Sequence, residues 1–199
     1  IVMEPNLNSS KNCILPLYIV EAFERKYPNV IESCNLLCAE KLVKNNYFID
    51  LVSQLNIYRN RSNFLKVLKR KKLLNAIHDY GSLVISHQQD NGLNNLYFEV
   101  LYLGLPLLHN SKIFSEYGYF YPENNIDEAV NQLDFIINNH QECFPRYKKN
   151  IDKLLDLYIR LNDLLLFEVS SYLKDINELF DIYYDKLYNC STLISQLYL

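Results

Sequence analysis

The stretch from residue 84 to residue 110, VISHQQDNGLNNLYFEVLYLGLPLLHN, holds residue types that could bind a phosphate and a ribose. Gly92 directly precedes a segment with helical spacing, and a glycine there lets the backbone approach a ligand closely. The first N–H groups of a helix have no partner within the helix and favour negative charge, so they form a natural phosphate site. Here these groups belong to Asn94, Asn95 and Leu96.

Glu99 lies one turn beyond Asn95 on the same face of this predicted helix. A carboxylate there could reach a group attached to a phosphate at the helix end. Nucleotide-binding α/β folds hold ribose with a carboxylate that accepts hydrogen bonds from its hydroxyls. A second interpretation stays open, in which Gly92 is an ordinary turn residue and Glu99 only solvates an exposed helix face.

Several common ligand-binding and catalytic motifs are absent from the sequence. No GxGxxG follows the first predicted strand, and neither a GxxxxGK[S/T] phosphate loop nor a GxSxG nucleophile elbow occurs. The absence of Asp-x-Asp argues against sugar transfer that grips a diphosphate through a divalent ion. The net charge of −3 and the scattered basic residues argue against a nucleic-acid partner.

Composition also bears on location and completeness. The five cysteines are odd in number and no signal peptide precedes them, which predicts reduced thiols in a cytoplasmic compartment. The longest apolar run, CILPLYIV, is too short to cross a bilayer, so no transmembrane segment is expected. The chain opens on IVM, which is typical of a buried strand, and we therefore expect it to be a piece of a longer protein.

Short apolar runs alternate with amphipathic segments over residues 1–145, and this predicts an α/β fold. The predicted strands are 1–3, 30–37, 56–61, 82–86, 106–110 and 117–121. The predicted helices are 13–28, 39–55, 63–78, 93–103 and 126–139, the last of them capped by Asn125. The alternation favours a Rossmann-like, doubly wound six-stranded parallel sheet with right-handed crossovers. Its ligand crevice is expected at the carboxyl ends of the strands, in the loops after residues 3, 59, 86 and 110.

Residues 146–199 contain no predicted strand and are expected to form a helical extension. Two long helices are predicted, at 146–164 and 167–188. The second carries an apolar stripe, which is typical of a packing surface. The stripe could pack on the α/β domain, on a domain absent from this chain or on a second copy, so a homodimer through these helices is one of the options.

The segment NGLNNLYFEVLYLGLPLL resembles the E-G-F-G-x-x-x-x-E-A-x-A-x-G-x-P-V motif of the GT-B retaining glycosyltransferases. Glu99 matches the second glutamate of the motif, and Gly104 and Pro106 match its trailing G-x-P. In that superfamily the matched glutamate binds the ribose of a nucleotide-sugar, and backbone amides of the preceding loop bind its diphosphate. The first glutamate of the motif falls on Asn91, with Asp90 beside it, so the sequence departs from the motif at the sugar-contacting carboxylate.

Residues 1–125 also resemble a family of glycosyltransferase-like proteins, long labelled as of unknown function, from bacteria and some large DNA viruses. The segments that carry this resemblance are MEPNLNSSKNCILPLYIVEAF, SHQQDNGLNNLYFEVLYLGLPLLHNS and YGYFYPENN. The family pattern has S-H-Q-x-E-N in its middle block, where this chain has Gln89 and Asp90 before Asn91. For a viral member, the expected location is the host cytoplasm.

These resemblances imply that the chain is the C-terminal, donor-binding half of a GT-B enzyme, whose N-terminal acceptor domain is missing from this chain. The implied donor is a UDP- or GDP-sugar, with no metal and no other cofactor. Lys11 is implied to pair with the diphosphate and offset the charge of the leaving group. Together with His87 and Asp90 it forms the implied catalytic set. The implied donor-binding residues are Glu4, Asn6, Arg61, Gln88, Asn91, Gly92, Asn94, Asn95, Leu96, Glu99, His109 and Asn110.

Two other interpretations remain open. The chain could be a non-catalytic GT-B-like module that binds nucleotide or carbohydrate or serves assembly, which Asn91 and the amphipathic C-terminal helices favour. A further alternative is another nucleotide-binding α/β protein, such as an epimerase-like or phosphotransferase domain. The missing glycine-rich loop after the first strand argues against that alternative.

Overall fold

Six parallel strands form one sheet in this computed structural model, which describes residues 1–3, 10–81, 83–89 and 94–172, with side chains as far as Leu161. The strands are β1 (Val2–Met3), β2 (Cys34–Leu36), β3 (Leu65–Val67), β4 (Val84–Ile85), β5 (Leu107–His109) and β6 (Tyr119–Phe120). Their order across the sheet is β3-β2-β1-β4-β5-β6, the doubly wound order of dinucleotide-binding folds. The predicted Rossmann-like parallel sheet is therefore confirmed.

The helices of the described residues connect and cover these strands. They are α1 (Ile14–Lys26), α2 (Asn46–Ser53), α3 (Asn56–Arg59), α4 (Leu73–Tyr80), α5 (Asn95–Tyr102) and α6 (Ile126–Tyr172). Short 3₁₀ turns lie at Leu42–Lys44 and Lys112–Phe114. The strand residues Val2, Met3, Ile85, Leu107 and Leu108 are all at most 1% exposed. A short strand with both faces covered is a continuous apolar run, and VI and LLH in this sequence are of that kind.

The third strand lies elsewhere than predicted. Residues 56–61 were predicted as a strand but begin with helix α3, and β3 occupies part of the predicted helix 63–78. The Glu21 carboxylate accepts hydrogen bonds from the Ile57 backbone N–H at 3.0 Å and from the Asn56 side-chain amide at 2.9 Å. Because these bonds fix the first turn of α3 against α1, a partner distant in sequence outweighs the local β propensity.

The C-terminal part also differs from the prediction. Two helices were expected, at 146–164 and 167–188, but the described residues form the single helix α6 from Ile126 to Tyr172. No glycine or proline interrupts the sequence after Pro145, so nothing local ends the helix between 164 and 167. The predicted helix beyond residue 172 lies outside the described residues.

The helix continues through Pro145, which removes a backbone N–H donor at a cost of about 3 kcal/mol. Tertiary packing offsets this cost, because Tyr147, Ile151 and Leu154 are buried and the Tyr147 hydroxyl donates to the Leu105 carbonyl at 2.7 Å.

The chain divides into two compact units, Ile1–Leu154 and Leu155–Leu199. The functional boundary predicted between residues 145 and 146 stays a prediction. In the part of the chain that the structure describes, no helix is long and apolar enough to cross a membrane.

Gly104 ends α5 and turns the chain into β5. Its N–H donates to the Leu101 carbonyl at 2.8 Å and the next N–H, of Leu105, donates to the Val100 carbonyl at 3.1 Å. This pair of bonds is the Schellman motif, which needs a residue in the left-handed region, and the φ of Gly104 is +67°. A Cβ at this position would also lie 3.1 Å from the Phe144 ring.

We therefore expect Gly104→Ala to lower the free energy of unfolding by about 1–2 kcal/mol, from the positive φ and the contact with Phe144. Urea denaturation followed by circular dichroism measures the loss. In the double variant Gly104→Ala, Phe144→Leu, the contact part of the loss is relieved and the backbone part remains. A stability of Gly104→Ala equal to that of the unmodified chain would contradict this account of the turn.

Candidate functional site

The candidate site lies where the strand order reverses, between β1 and β4. These two strands are neighbours, but the chain leaves them in opposite directions across the sheet, and this opens a crevice at their carboxyl ends. The loops that follow the two strands are joined there. Lys11 and Gln88 form an isolated antiparallel bridge, and the Gln89 N–H donates to the Ser10 carbonyl at 3.0 Å.

Lys11 lies beside the N-terminus of α5. Its Nζ is 3.2 Å from the side-chain oxygen of Asn94, the residue that caps this helix. A lysine ammonium and the positive end of a helix dipole both attract anions, and here they occupy the same place. The structure thus brings together Lys11 and Asn94, which are 83 residues apart in sequence.

The backbone amides at the start of α5 are only partly available to a ligand. The Leu96 N–H, predicted to bind phosphate, donates to the Asn94 side-chain oxygen at 3.1 Å, so the cap already satisfies it. The Asn95 N–H makes no hydrogen bond to any residue of the described ranges, and the Asn95 side chain is exposed. Of the amides predicted to hold phosphate, Asn95 is therefore the better placed and Leu96 supports the turn instead.

Glu99 is half-buried on α5, on the face opposite to the buried Tyr97 and Leu101. Burial raises the pKa of its carboxyl group above the usual value. Within the described part of the chain, its carboxylate makes no hydrogen bond and no ion pair. A desolvated carboxylate without donors is typical of a functional position, because a ligand's hydroxyls could supply the missing hydrogen bonds.

His87 lies two residues after the end of β4 and is only 7% exposed. Its Nδ1 lies 3.1 Å from the hydroxyl oxygen of Tyr121, and the two rings stack with an interplanar angle of 19°. Burial lowers the pKa of His87 below its usual value, so the imidazole is neutral at pH 7.

Gln88 and Asn110 hold the loop after β4 against the end of β5. The Gln88 N–H donates to the Asn110 side-chain oxygen at 2.9 Å, and the Asn110 amide donates back to the Gln88 carbonyl at 2.8 Å. This reciprocal pair continues the hydrogen bonding of the sheet one residue beyond its strands. Both residues were predicted to bind the donor, and this pair of hydrogen bonds makes Asn110 a support for the Gln88 backbone.

His109 was also predicted to contact the donor, but both of its ring nitrogens are engaged inside the protein. Nε2 lies 2.7 Å from the Tyr117 carbonyl, and Nδ1 accepts from the Ser111 N–H at 3.2 Å. The side chain is fully buried, and burial lowers the pKa of His109 to about 4. A Cβ on Gly118, whose φ is +71°, would lie 3.0 Å from Nε2. In this arrangement His109 braces the turn before β6.

Arg61 lies away from the crevice. Its guanidinium donates to the Glu24 carboxylate and to the Ile31 carbonyl, both at 2.7 Å, and stacks over the Phe64 ring. The prediction placed Arg61 at the carboxyl end of a strand at 56–61, and that strand does not exist. Because Arg61 precedes β3, it lies at the opposite edge of the parallel sheet, where it closes a structural ion pair.

Five predicted site residues lie outside the described residues. They are Glu4, Asn6, Asp90, Asn91 and Gly92. Their predicted roles stay predictions, including those of the catalytic Asp90 and of Asn91, which takes the place of a glutamate. In residues 1–3, 10–81, 83–89 and 94–172, no three His, Cys, Asp or Glu side chains lie together as metal ligands would.

A cavity of about 590 Å³ lies at the other edge of the sheet. Ile1, Ser33, Leu83 and Pro106 line it, and each of them precedes a strand. Ligands of open α/β sheets bind at the carboxyl ends of the strands, so this cavity is at the wrong edge for that chemistry. Position relative to the switch in strand order therefore decides the choice of candidate site.

The family of proteins described as "Protein of unknown function (DUF2827)" matches residues 1–166 of the chain. The chain belongs to this family. A comparison with curated proteins finds no match.

Solved structures that share the fold of this DUF2827 chain include glycosyltransferases of GT-B architecture. An alpha,alpha-trehalose-phosphate synthase (UDP-forming) from Burkholderia vietnamiensis has a TM-score of 0.67 and 12% identity, over 85% of this chain and 42% of that protein. A mutant of S. aureus TarM, in complex with Fondaparinux, alpha-GlcNAc-glycerol and UDP, has a TM-score of 0.57 and 15% identity, over 80% of this chain and 34% of that protein. The pneumococcal O-GlcNAc transferase GtfA, in complex with UDP and GlcNAc, has a TM-score of 0.52 and 12% identity, over 83% of this chain and 35% of that protein.

These likenesses establish the fold of the DUF2827 chain and agree with the resemblance found in its sequence. The chain spans about a third to two fifths of the length of the proteins it matches.

The sequence did not reveal the buried residues that support the side chains of the site. The Ser86 and Tyr97 hydroxyls lie 2.8 Å apart, and Tyr121 contacts His87. A buried tyrosine needs a hydrogen-bond partner for its hydroxyl, but the sequence does not show which residue that partner is.

Proposed function

We propose that this chain is the donor-binding domain of a metal-independent GT-B glycosyltransferase, which transfers a sugar from a nucleotide diphosphate to an acceptor. The observation that carries the proposal is the meeting of Lys11 with the N-terminus of α5 at the switch in strand order. A diphosphate fits this place, because a lysine and a helix end supply positive charge without a metal. Two of the structures with this fold were solved with UDP, which supports a nucleotide as the ligand.

In this proposal Lys11 binds the diphosphate and offsets the charge of the leaving group. Glu99 accepts hydrogen bonds from the ribose hydroxyls. Burial raises the pKa of Glu99, and these bonds would compensate its carboxylate for the water lost on burial. His87, and Asp90 from outside the described residues, would act near the transferred sugar. The acceptor would be bound by a second domain, as in proteins whose active site lies between two domains.

The direct test is a titration of the chain with UDP, GDP and their sugar conjugates by calorimetry. We expect Glu99→Gln to weaken UDP binding about tenfold, since a neutral amide accepts weaker hydrogen bonds and also presents a donor to the ribose. The same variant should bind 2′,3′-dideoxy-UDP as tightly as the unmodified chain does. Glu142→Gln, at an exposed position on α6, is the matched control and should bind both nucleotides unchanged. If no nucleotide binds the unmodified chain, the proposed function fails.

A second candidate is a GT-B-like module that binds nucleotide without catalysis. Asn91 favours it, because the resembling glycosyltransferases have a glutamate at that position. The two candidates differ in turnover. A preparation that includes an acceptor-binding domain, binds nucleotide-sugar and neither hydrolyses nor transfers the sugar would support the binding module, whereas measurable transfer would exclude it.

A further inference from the structure

Within the described ranges of the chain, one ring nitrogen of His87 has a hydrogen-bond contact and the other has none. Nδ1 contacts the Tyr121 hydroxyl at 3.1 Å. Among the residues that the structure describes, none makes a hydrogen bond with Nε2. The residue is only 7% exposed, and it lies at the carboxyl end of β4, next to the bridge between Gln88 and Lys11. A buried ring with an unengaged nitrogen at a ligand crevice points to a ligand contact.

The Tyr121 hydroxyl determines which nitrogen of His87 carries the proton. A phenol has a single proton, and that of Tyr121 is placed to donate to the Ser86 carbonyl, 3.2 Å away. A carbonyl oxygen can only accept, so this bond leaves lone pairs of the phenol oxygen for His87. Nδ1 must then be the donor toward Tyr121, and Nε2 carries no proton. Tyr121 is itself fully buried, so water does not compete for its hydroxyl.

A neutral imidazole with a bare Nε2 selects among ligand groups. It accepts a hydrogen bond from a hydroxyl or an N–H, whereas the oxygens of a nucleoside diphosphate carry almost no protons at neutral pH and repel its lone pair. Burial lowers the pKa of His87, which keeps the ring in this accepting form at pH 7. A sugar hydroxyl is therefore suited to this nitrogen, and a phosphate is not.

We propose that Tyr121 is a positioning residue that holds His87 in the Nδ1–H tautomer, so that Nε2 accepts a hydrogen bond from a hydroxyl of the transferred sugar. The identity of the ligand in this inference rests on the proposed function. The tautomer does not, because it follows from the contacts of Ser86, His87 and Tyr121 alone. His87 would thus select a ligand that presents a hydroxyl at the end of β4, beside the phosphate site formed by Lys11 and α5.

The tautomer is tested without any ligand, by long-range ¹H–¹⁵N correlation of the histidine rings in the full chain. We expect the Nδ1 of His87 to be protonated and Nε2 to be unprotonated at pH 7. In Tyr121→Phe the signals should move toward the Nε2–H form. Tyr119→Phe is the matched control, since it removes another tyrosine hydroxyl that contacts a histidine, His140, at 2.7 Å. An Nε2–H ring in the unmodified chain would overturn the inference.

Ligand specificity is tested by calorimetry with UDP, UDP-glucose and UDP-N-acetylglucosamine. Tyr121→Phe should weaken the binding of the preferred UDP-sugar about 5- to 10-fold, leave UDP binding within twofold, and keep the circular dichroism spectrum of the folded chain. Equal loss for UDP and the UDP-sugar would refute the sugar contact while leaving the proposed function intact. If the unmodified chain binds no nucleotide at all, the proposed function and the sugar contact both fail, and the tautomer still stands or falls on the spectra.

Discussion

Replacement of Lys11 by glutamine should weaken the binding of UDP by at least about tenfold, because a charge-assisted contact to phosphate contributes about 1.5–3 kcal/mol. Lys11 is held in place by the bridge to Gln88 and by Asn94, so the lysine is oriented before the ligand arrives. Its effect should follow the charge on the phosphates: large for UDP, smaller for UMP and absent for uridine. Calorimetry with these three ligands at low ionic strength measures the series.

The matched control is Lys149→Gln, which removes the same charge from an exposed position on α6. Lys149→Gln changes net charge equally but should leave the three affinities unchanged. Equal weakening in both variants would mean that general attraction by the chain's charge, and not a site at α5, governs binding. An unchanged UDP affinity in Lys11→Gln would remove Lys11 from the phosphate site.

The part of the fold around β1, β4 and α5 was predictable because local and distant forces agree there. The apolar runs of β4 and β5 are short and bounded by Gly81 and Gly104, and buried parallel strands need such runs. The helical spacing over residues 93–103, with Gly104 after it, predicted both ends of α5 to within two residues. With both ends of the helix known, the positions of Asn95 and Glu99 on its faces followed.

The region around β3 was not predictable because local and distant forces disagree there. β3 is half-exposed and carries Lys66, so its sequence has the mixed character of an amphipathic helix. Its neighbour in sequence, α3, is fixed by the Glu21 carboxylate 36 residues away. Arg61 was misplaced as a consequence, because its predicted role depended on a strand at 56–61.

The candidate site was predictable only in its outer layer. Lys11 and His87 were named through the resemblance to glycosyltransferases, and Asn94 through its backbone N–H at the start of a predicted helix. The groups that orient them come from later strands and loops: Asn110 fixes the Gln88 backbone and Tyr121 contacts His87. Such contacts depend on the register of β4, β5 and β6, which no local pattern in the sequence encodes.

His109 is one of the buried residues behind the candidate site, and its role can be tested without a ligand. Burial lowers its pKa to about 4 in the folded chain, and the hydrogen bond to the Tyr117 carbonyl only partly opposes this. In the unfolded chain a histidine has a pKa of about 6.5. Between these two values the unfolded state binds a proton that the folded state does not. Stability should therefore fall as the pH drops from about 6.5 to about 4, by about 3 kcal/mol in total.

About 2 kcal/mol of this loss should occur between pH 7 and pH 5, by the same linkage. Urea denaturation followed by circular dichroism at both pH values measures it. His109→Asn should be less stable at pH 7, because the bonds to Tyr117 and Ser111 are broken, but its stability should depend less on pH. His78→Asn is the control, since it removes a histidine whose side chain is 87% exposed and leaves the contribution of His109 in place. The other three histidines are present in both the unmodified chain and His109→Asn, so the difference between the two slopes isolates His109. Equal slopes would mean that His109 is not the buried, neutral brace between β5 and the turn before β6.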